Sequence, residues 1–256
     1  MAAPGQLPEL VVNGPIATIT LRRPEVANRL EMEDLALLAE LIEEVNHRRE
    51  VLVLRLTAQG RYFCSGFNIA SFDATGNDPG ALFAALGDTI ERARPVTIAA
   101  LPGPVYGGGS DLALACDFRI ATKNCELMVP AAKLGTLFFQ SGMERMVARL
   151  GLGTARRMLL CADKFDLAAL KETGWLDAVV ADANELATTL DAWSANLAGM
   201  APLALLGMKK HLNALAHGRL DAQQLVHDID VASRSEDLLE GARAWKEKRA
   251  PVFKGA

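Results

Sequence analysis

Residues 107–120 read Gly107-Gly108-Gly109-Ser110-Asp111-Leu112-Ala113-Leu114-Ala115-Cys116-Asp117-Phe118-Arg119-Ile120. Three glycines run into an apolar stretch, Asp111 to Ala115, whose composition predicts a helix, and Phe118 to Ala121 then reads as a strand. Upstream, Val96 to Leu101 is a further apolar strand, joined to the glycines through Pro102-Gly103-Pro104-Val105-Tyr106. Strand, helix and strand in alternation imply an α/β architecture. The glycines admit two readings. They let backbone N–H groups at a helix N-terminus approach a ligand closely, which makes an anion or oxyanion site. Alternatively, they allow tight strand–helix packing, with Asp111 as an ordinary first-turn helix acid. The Lys-Ser/Thr of a phosphate loop is missing and Asp111 would repel a dianion, so a singly charged carbonyl oxygen fits better than a phosphate.

The rest of the 256 residues extends the alternation. Leu10–Val12 and Ile16–Leu21 flank the turn Asn13-Gly14-Pro15 and predict a hairpin. Leu30, Leu35, Leu37, Leu38, Leu41, Ile42 and Val45 recur at helical spacing, and Val51–Leu56 reads as a buried strand. Leu82–Ala93 predicts a helix before the Val96 strand. Beyond residue 143 the chain turns helical, with segments at 143–150, 154–161 and 167–173, a last short strand at 178–180, and a helix at 235–248. We divide the chain into a core, residues 1–195, and a C-terminal helical segment, residues 196–256. Net charge is −4, which argues against a nucleic-acid partner. No apolar run reaches the roughly 20 residues of a membrane span, so no membrane partner is expected. Met1–Leu10 lacks a basic start followed by an apolar stretch, so a cytoplasmic protein without a signal peptide is expected. Cys64, Cys116, Cys125 and Cys161, with His47, His211, His217 and His227, show no metal-ligand spacing. No metal site is expected, and the cysteines read as buried, unreactive thiols.

A second segment, Phe63-Cys64-Ser65-Gly66-Phe67-Asn68-Ile69, follows a strand about 40 residues before the glycines. An oxyanion hole commonly takes its two N–H donors from different chain segments, and this one can supply the other donor. Here the sequence resembles the crotonase, or enoyl-CoA hydratase/isomerase, superfamily. The segment at 63–69 is similar to its F-C-A-G-A-D-L pattern, and residues 107–120 are similar to G-G-G-C-E-L-A-L-A-C-D-I-R-I. The likeness runs from Thr20-Leu21-Arg22-Arg23-Pro24-Glu25 with Asn28 to Glu247-Lys248-Arg249 and Pro251-Val252-Phe253-Lys254. It implies a crotonase-like spiral of strand-strand-helix turns closed by C-terminal helices that build homotrimers or hexamers. It implies an acyl-CoA thioester as ligand, with no cofactor besides the coenzyme A of the substrate. The thioester oxygen would sit between the N–H groups of Phe67 and Gly108. Adenine and pantetheine would pass Val26, Ala27 and the loop Ser65, Gly66, Asn68, Ile69. Trp245 and Lys248 would reach a neighbouring subunit's CoA.

The departures bear on the reaction. Of the two family glutamates, the first falls on Asp111 and the second on Ala131. The aspartate of dienoyl-CoA isomerases falls on Phe139. Asp111 is therefore expected to be the retained acid, facing an acyl pocket walled by Phe138 and Phe139. Tyr106 and Gln140, with Ser141, are expected to supply polar groups. Three functions stay open: a lyase or isomerase using Asp111, a hydrolase of a thioester or carbon–carbon bond (or a decarboxylase), and a non-catalytic acyl-CoA-binding oligomer.

Overall fold

A computed structural model describes residues 5–68 and 79–256. Its six-stranded sheet has the order β1 (Gln6–Asn13), β2 (Ile16–Arg22), β3 (Val53–Ala58), β4 (Val96–Leu101), β6 (Phe118–Thr122), β8 (Ala178–Val180). The predicted hairpin is β1–β2, paired antiparallel as far as Asn13↔Ile16 around the Asn-Gly-Pro turn. Every later pairing is parallel. β4 is buried at all six positions, as a parallel strand covered on both faces should be.

A second, narrower layer makes the chain a spiral. β5 (Val105–Tyr106) pairs in parallel with β7 (Leu127–Met128). Single bridges extend the row from Leu30 to Phe67 and from Cys64 to Val105. Each turn thus runs through the large sheet, then the narrow layer, then a helix: β3, Cys64 and α2 (Pro79–Arg92); β4, β5 and α3 (Gly108–Ala115); β6, β7 and α4 (Gln140–Arg156). α1 (Met32–His47) buries Leu35, Leu38, Ile42 and Val45 of the predicted helix, leaves Leu37 and Leu41 half-buried, and begins after Leu30.

Some boundaries differ from the sequence reading. α3 starts at Gly108, so two of the three glycines lie inside the helix rather than before it. The segments predicted at 143–150 and 154–161 form α4 and a following π turn, Arg157–Cys161, with a break at Gly151, where φ is 78° and ψ 159°. Residue 195 lies inside α6 (Ala183–Ala198), whose Leu186 and Leu190 pack on the sheet with Val53, Ile98 and Ile120. α5 (Leu167–Glu172) precedes β8, and α7 (Pro202–Ala216), α8 (Ala222–Ser233) and α9 (Glu236–Glu247) complete the chain. Cys64, Cys116 and Cys125 are buried, and burial pushes each thiol up to about 12. Cys161 departs from the expectation, because it ends the π turn on the surface.

Candidate active site

The narrow layer brings the first group of expected binding residues together. Ala27 and Asn28 both adopt left-handed backbone, φ 55° and 49°. The Asn28 side chain pins that turn, accepting from the Arg23 N–H at 2.8 Å and donating to the Gln59 and Tyr62 carbonyls at 2.9 Å. The Ser65 N–H then donates to the Ala27 carbonyl at 3.0 Å, and the Leu30 N–H to the Gly66 carbonyl at 2.8 Å. Val26, Ala27, Ser65, Gly66, Phe67 and Asn68 therefore share one patch. Asn68 continues it, with its N–H donating to the Leu30 carbonyl and its amide to both oxygens of Glu31. Ile69 lies outside the described residues.

The two glycine segments meet backbone to backbone. Gly66 has φ +88°, and a Cβ there would lie 3.0 Å from the Gly108 amide nitrogen and 3.2 Å from the Tyr106 carbonyl oxygen. Gly108 opens α3, so its N–H has no acceptor within the helix and sits at the positive end of the helix dipole. The packing reading of the glycines also holds. A Cβ on Gly109 would lie 2.7 Å from the Cys64 carbonyl oxygen, and one on Gly108 would lie 2.6 Å from the Phe83 ring. Phe83 meets Phe67 edge to face, with ring centroids 6.2 Å apart.

Asp111 departs from its expected setting. Its carboxylate is fully buried and accepts from Nε and Nη2 of Arg145 on α4, both at 3.0 Å. Arg145, itself 0% exposed, donates through Nη1 to Glu91 at 2.7 Å and through Nη2 to Asp88 at 3.4 Å. Glu91 also meets Arg149 at 3.0 Å and His217 at 3.1 Å. Gly87 makes room for the pair, since a Cβ there would lie 2.5 Å from Asp111 Oδ2 and 2.7 Å from Arg145 Nη2. Burial pushes the Asp111 carboxyl above its ordinary value, against the pull of Arg145. Burial also works to raise Glu91, but Arg145, Arg149 and His217 outweigh it and hold that carboxyl below its ordinary value. A carboxylate with both oxygens on one guanidinium is not poised to carry a proton. The physical reason for the departure is Arg145, which the sequence reading did not single out. Its signal was periodicity: Gly142, Arg145 and Met146 are spaced i, i+3, i+4 and share the buried face of α4.

The remaining expected residues divide. Phe138 and Phe139 stack at 4.5 Å, and both rings close over Gly142 at the start of α4. The Gln140 amide donates to Glu144 at 2.7 Å on the surface. Ser141 Oγ is buried without a hydrogen-bond partner among the described residues. The Tyr106 hydroxyl donates to Glu126, which also pairs with Lys164 at 2.6 Å, and burial together with Glu126 moves the phenol well above its ordinary value. Trp245 stands 88% exposed, and Lys248 ends α9 in left-handed backbone at φ 54°. A groove of about 1130 Å³ lies elsewhere, between α2 and α7, and none of the expected site residues lines it. Asp88, Glu91 and His217 do, so the ionic chain that begins at Asp111 reaches that groove.

Comparison with known proteins gives the family and the fold. Residues 12–256 match the family model described as enoyl-CoA hydratase/isomerase. A probable enoyl-CoA hydratase (echA6) of Mycobacterium leprae is 31% identical over 246 residues, covering 94% of this chain and 96% of that protein. A carnitinyl-CoA dehydratase of Salmonella typhi is 31% identical over 259 residues, covering 96% and 97%. The crystal structure of an enoyl-CoA hydratase/carnitine racemase from Magnetospirillum magneticum superposes with a TM-score of 0.90 at 26% identity, covering 98% and 96%. With a spiral of strand-strand-helix turns, two apposed glycine segments and a family match over nearly its whole length, this chain belongs to the enoyl-CoA hydratase/isomerase family.

Proposed function

We propose that the protein is a lyase or isomerase acting on an acyl-CoA thioester through an enolate. The backbone N–H groups of Phe67 and Gly108 hold the enolate oxygen. The observation that carries this reading is the close approach of the Gly66 backbone to the Gly108 amide nitrogen, where an added Cβ would lie at 3.0 Å, which sets the two donor segments side by side. Two fixed donors stabilise charge that develops on the thioester oxygen, and removal of one such donor costs about 10²–10³ in turnover. The CoA moiety runs along Val26, Ala27, Ser65, Gly66, Asn68 and Ile69, and no cofactor is needed beyond it. Tyr106, Phe138, Phe139 and Gln140 border the acyl group. The segment 196–256 assembles the protein into a trimer or hexamer in the cytoplasm, where Trp245 and Lys248 meet a neighbour's CoA.

Asp111 is the family acid position that keeps a carboxylate, and its engagement by Arg145 favours a second reading. In that reading the enolate electrons come from a carbon–carbon bond broken within the substrate, as in decarboxylation or carbon–carbon cleavage. A panel of enoyl-CoAs, β-keto acyl-CoAs and malonyl-type CoAs, read by mass spectrometry, separates these outcomes. A bond shift or water addition supports the first reading, and loss of carbon dioxide or chain cleavage supports the second. A panel in which every thioester is bound and none is changed would overturn both.

A further inference from the structure

The ion pair between Asp111 and Arg145 has a use that follows from its place in the fold. α3 is eight residues long, begins with glycines, and has no side-chain hydrogen bond at its N-cap, Gly107. The Gly107 N–H donates to the Met128 carbonyl at 3.0 Å and Ser110 Oγ donates to the Gly107 carbonyl at 2.6 Å, which anchors the residue before the helix. The first turn that follows must be held as well, because an oxyanion donor has to be fixed in direction to be effective. Asp111 stands one helical turn beyond Gly108 on the same helix face. Arg145 grips it at two points, and Arg145 is gripped in turn by Glu91 and Asp88 of α2. A bidentate guanidinium–carboxylate pair fixes direction as well as distance, which a lysine ammonium in the same place does not. The pair also neutralises a carboxylate charge that would otherwise lie close to the developing oxyanion.

We propose that Arg145 is a positioning residue of this oxyanion hole: through its two-point pair with Asp111 it sets the first turn of α3 and hence the direction of the Gly108 N–H. The proposal rests on the reading of Phe67 and Gly108 as thioester donors. Arg145 does not touch substrate and transfers no proton.

The test uses the full-length protein with crotonyl-CoA labelled with ¹³C at the thioester carbonyl. Binding is measured by calorimetry, and polarisation by the infrared shift of the labelled carbonyl. Arg145→Lys keeps the charge and loses the fork. It is expected to bind the thioester within a few-fold of the parent, to show a smaller carbonyl shift, and to lower kcat by about 10²-fold on the substrate that the panel identifies. That is the cost of a misplacement of about 1 Å. Asp111→Asn is expected to reduce the same shift. Should Arg145→Lys fail to fold, the double variant Asp111→Asn/Arg145→Met removes both charges together and serves in its place. A merely structural role would lower the melting temperature and leave the carbonyl shift of the folded, bound protein intact, which would overturn the proposal. A parent that binds the thioester without shifting its carbonyl would overturn the oxyanion reading itself, and the proposal with it.

Discussion

Gly109 shows how one side-chain atom separates the two uses of the glycine run. Its missing Cβ would meet the Cys64 carbonyl oxygen at 2.7 Å and the Cys64 Cβ at 2.8 Å, so the neighbour that must give way is largely backbone. Gly109→Ala is expected to cost about 1–3 kcal/mol of stability, the usual range for overpacking. It should also weaken thioester polarisation, because Cys64 lies two residues before Gly66. Urea unfolding and the infrared shift of a bound ¹³C-labelled thioester carbonyl check the two effects separately. Asp34 gives a second, purely structural prediction. It is buried, accepts from Arg23 Nε at 2.9 Å, and caps α1 by accepting from the Glu31 N–H at 2.9 Å. Asp34→Ala takes from the buried Arg23 its buried carboxylate partner and leaves it the exposed Glu33 at 2.6 Å. It should lower the unfolding free energy by about 3–5 kcal/mol, the range for breaking a buried pair from one side. Equilibrium urea denaturation reads that change directly.

Among the elements, those with a strong local code were legible in the sequence. The β1–β2 hairpin follows from Asn13-Gly14-Pro15 and alternating burial, and β4 follows from an unbroken apolar run. β5 and β7 were not legible, because each is two residues long and exists only through the partner it pairs with. The start of α3 was placed three residues late because glycine is read as a breaker. The first residues of a helix make no intrahelical donor bond, so a glycine there loses little. That Val26, Ala27, Ser65, Gly66 and Phe67 belong together was expected from the resemblance of their segments to the family patterns, because no local code links residues about 40 apart. The Asp111–Arg145 pair could not be anticipated, since its members are 34 residues apart and periodicity shows that a residue faces inward without showing what it meets. At this scale, the Ser235 side chain caps α9 by accepting from the Leu238 N–H at 3.1 Å. Ser235→Ala should cost about 1 kcal/mol, seen as a small drop in melting temperature with thioester binding unchanged.

At the scale of the molecule, two properties follow from the arrangement of charge and apolar surface. Glu91 joins α2 to α4 and α7 through Arg145, Arg149 and His217, and its carboxyl is held below the ordinary 4.5. A depressed carboxyl contributes stability that is complete above its unfolded value and is lost as pH falls through the folded one. Melting temperature should therefore drop as pH is lowered from about 4.5, the ordinary value for this carboxyl. Glu91→Gln should flatten that part of the curve, and an unchanged slope in the variant would exclude Glu91 as its source. Leu212, Leu215, Val226, Ile229, Leu239 and Trp245 all stand exposed across α7, α8 and α9. Apolar surface of this kind fits an interaction surface; the trimer or hexamer implied by the family resemblance would cover it, and light scattering at micromolar concentration should then give three or six copies. A monomer would refute the assembly. The small space beside Asp111 carries a last consequence, for engineering. Alanine at position 87 would strike both members of the ion pair in the parent, although alanine in the middle of a helix is ordinarily better than glycine by about 1 kcal/mol. Once Asp111 and Arg145 are exchanged for smaller uncharged residues, that obstruction is gone and the same substitution should become favourable. The effect of Gly87→Ala on stability is thus expected to depend on its background, and thermal unfolding of the single and combined variants reads the difference.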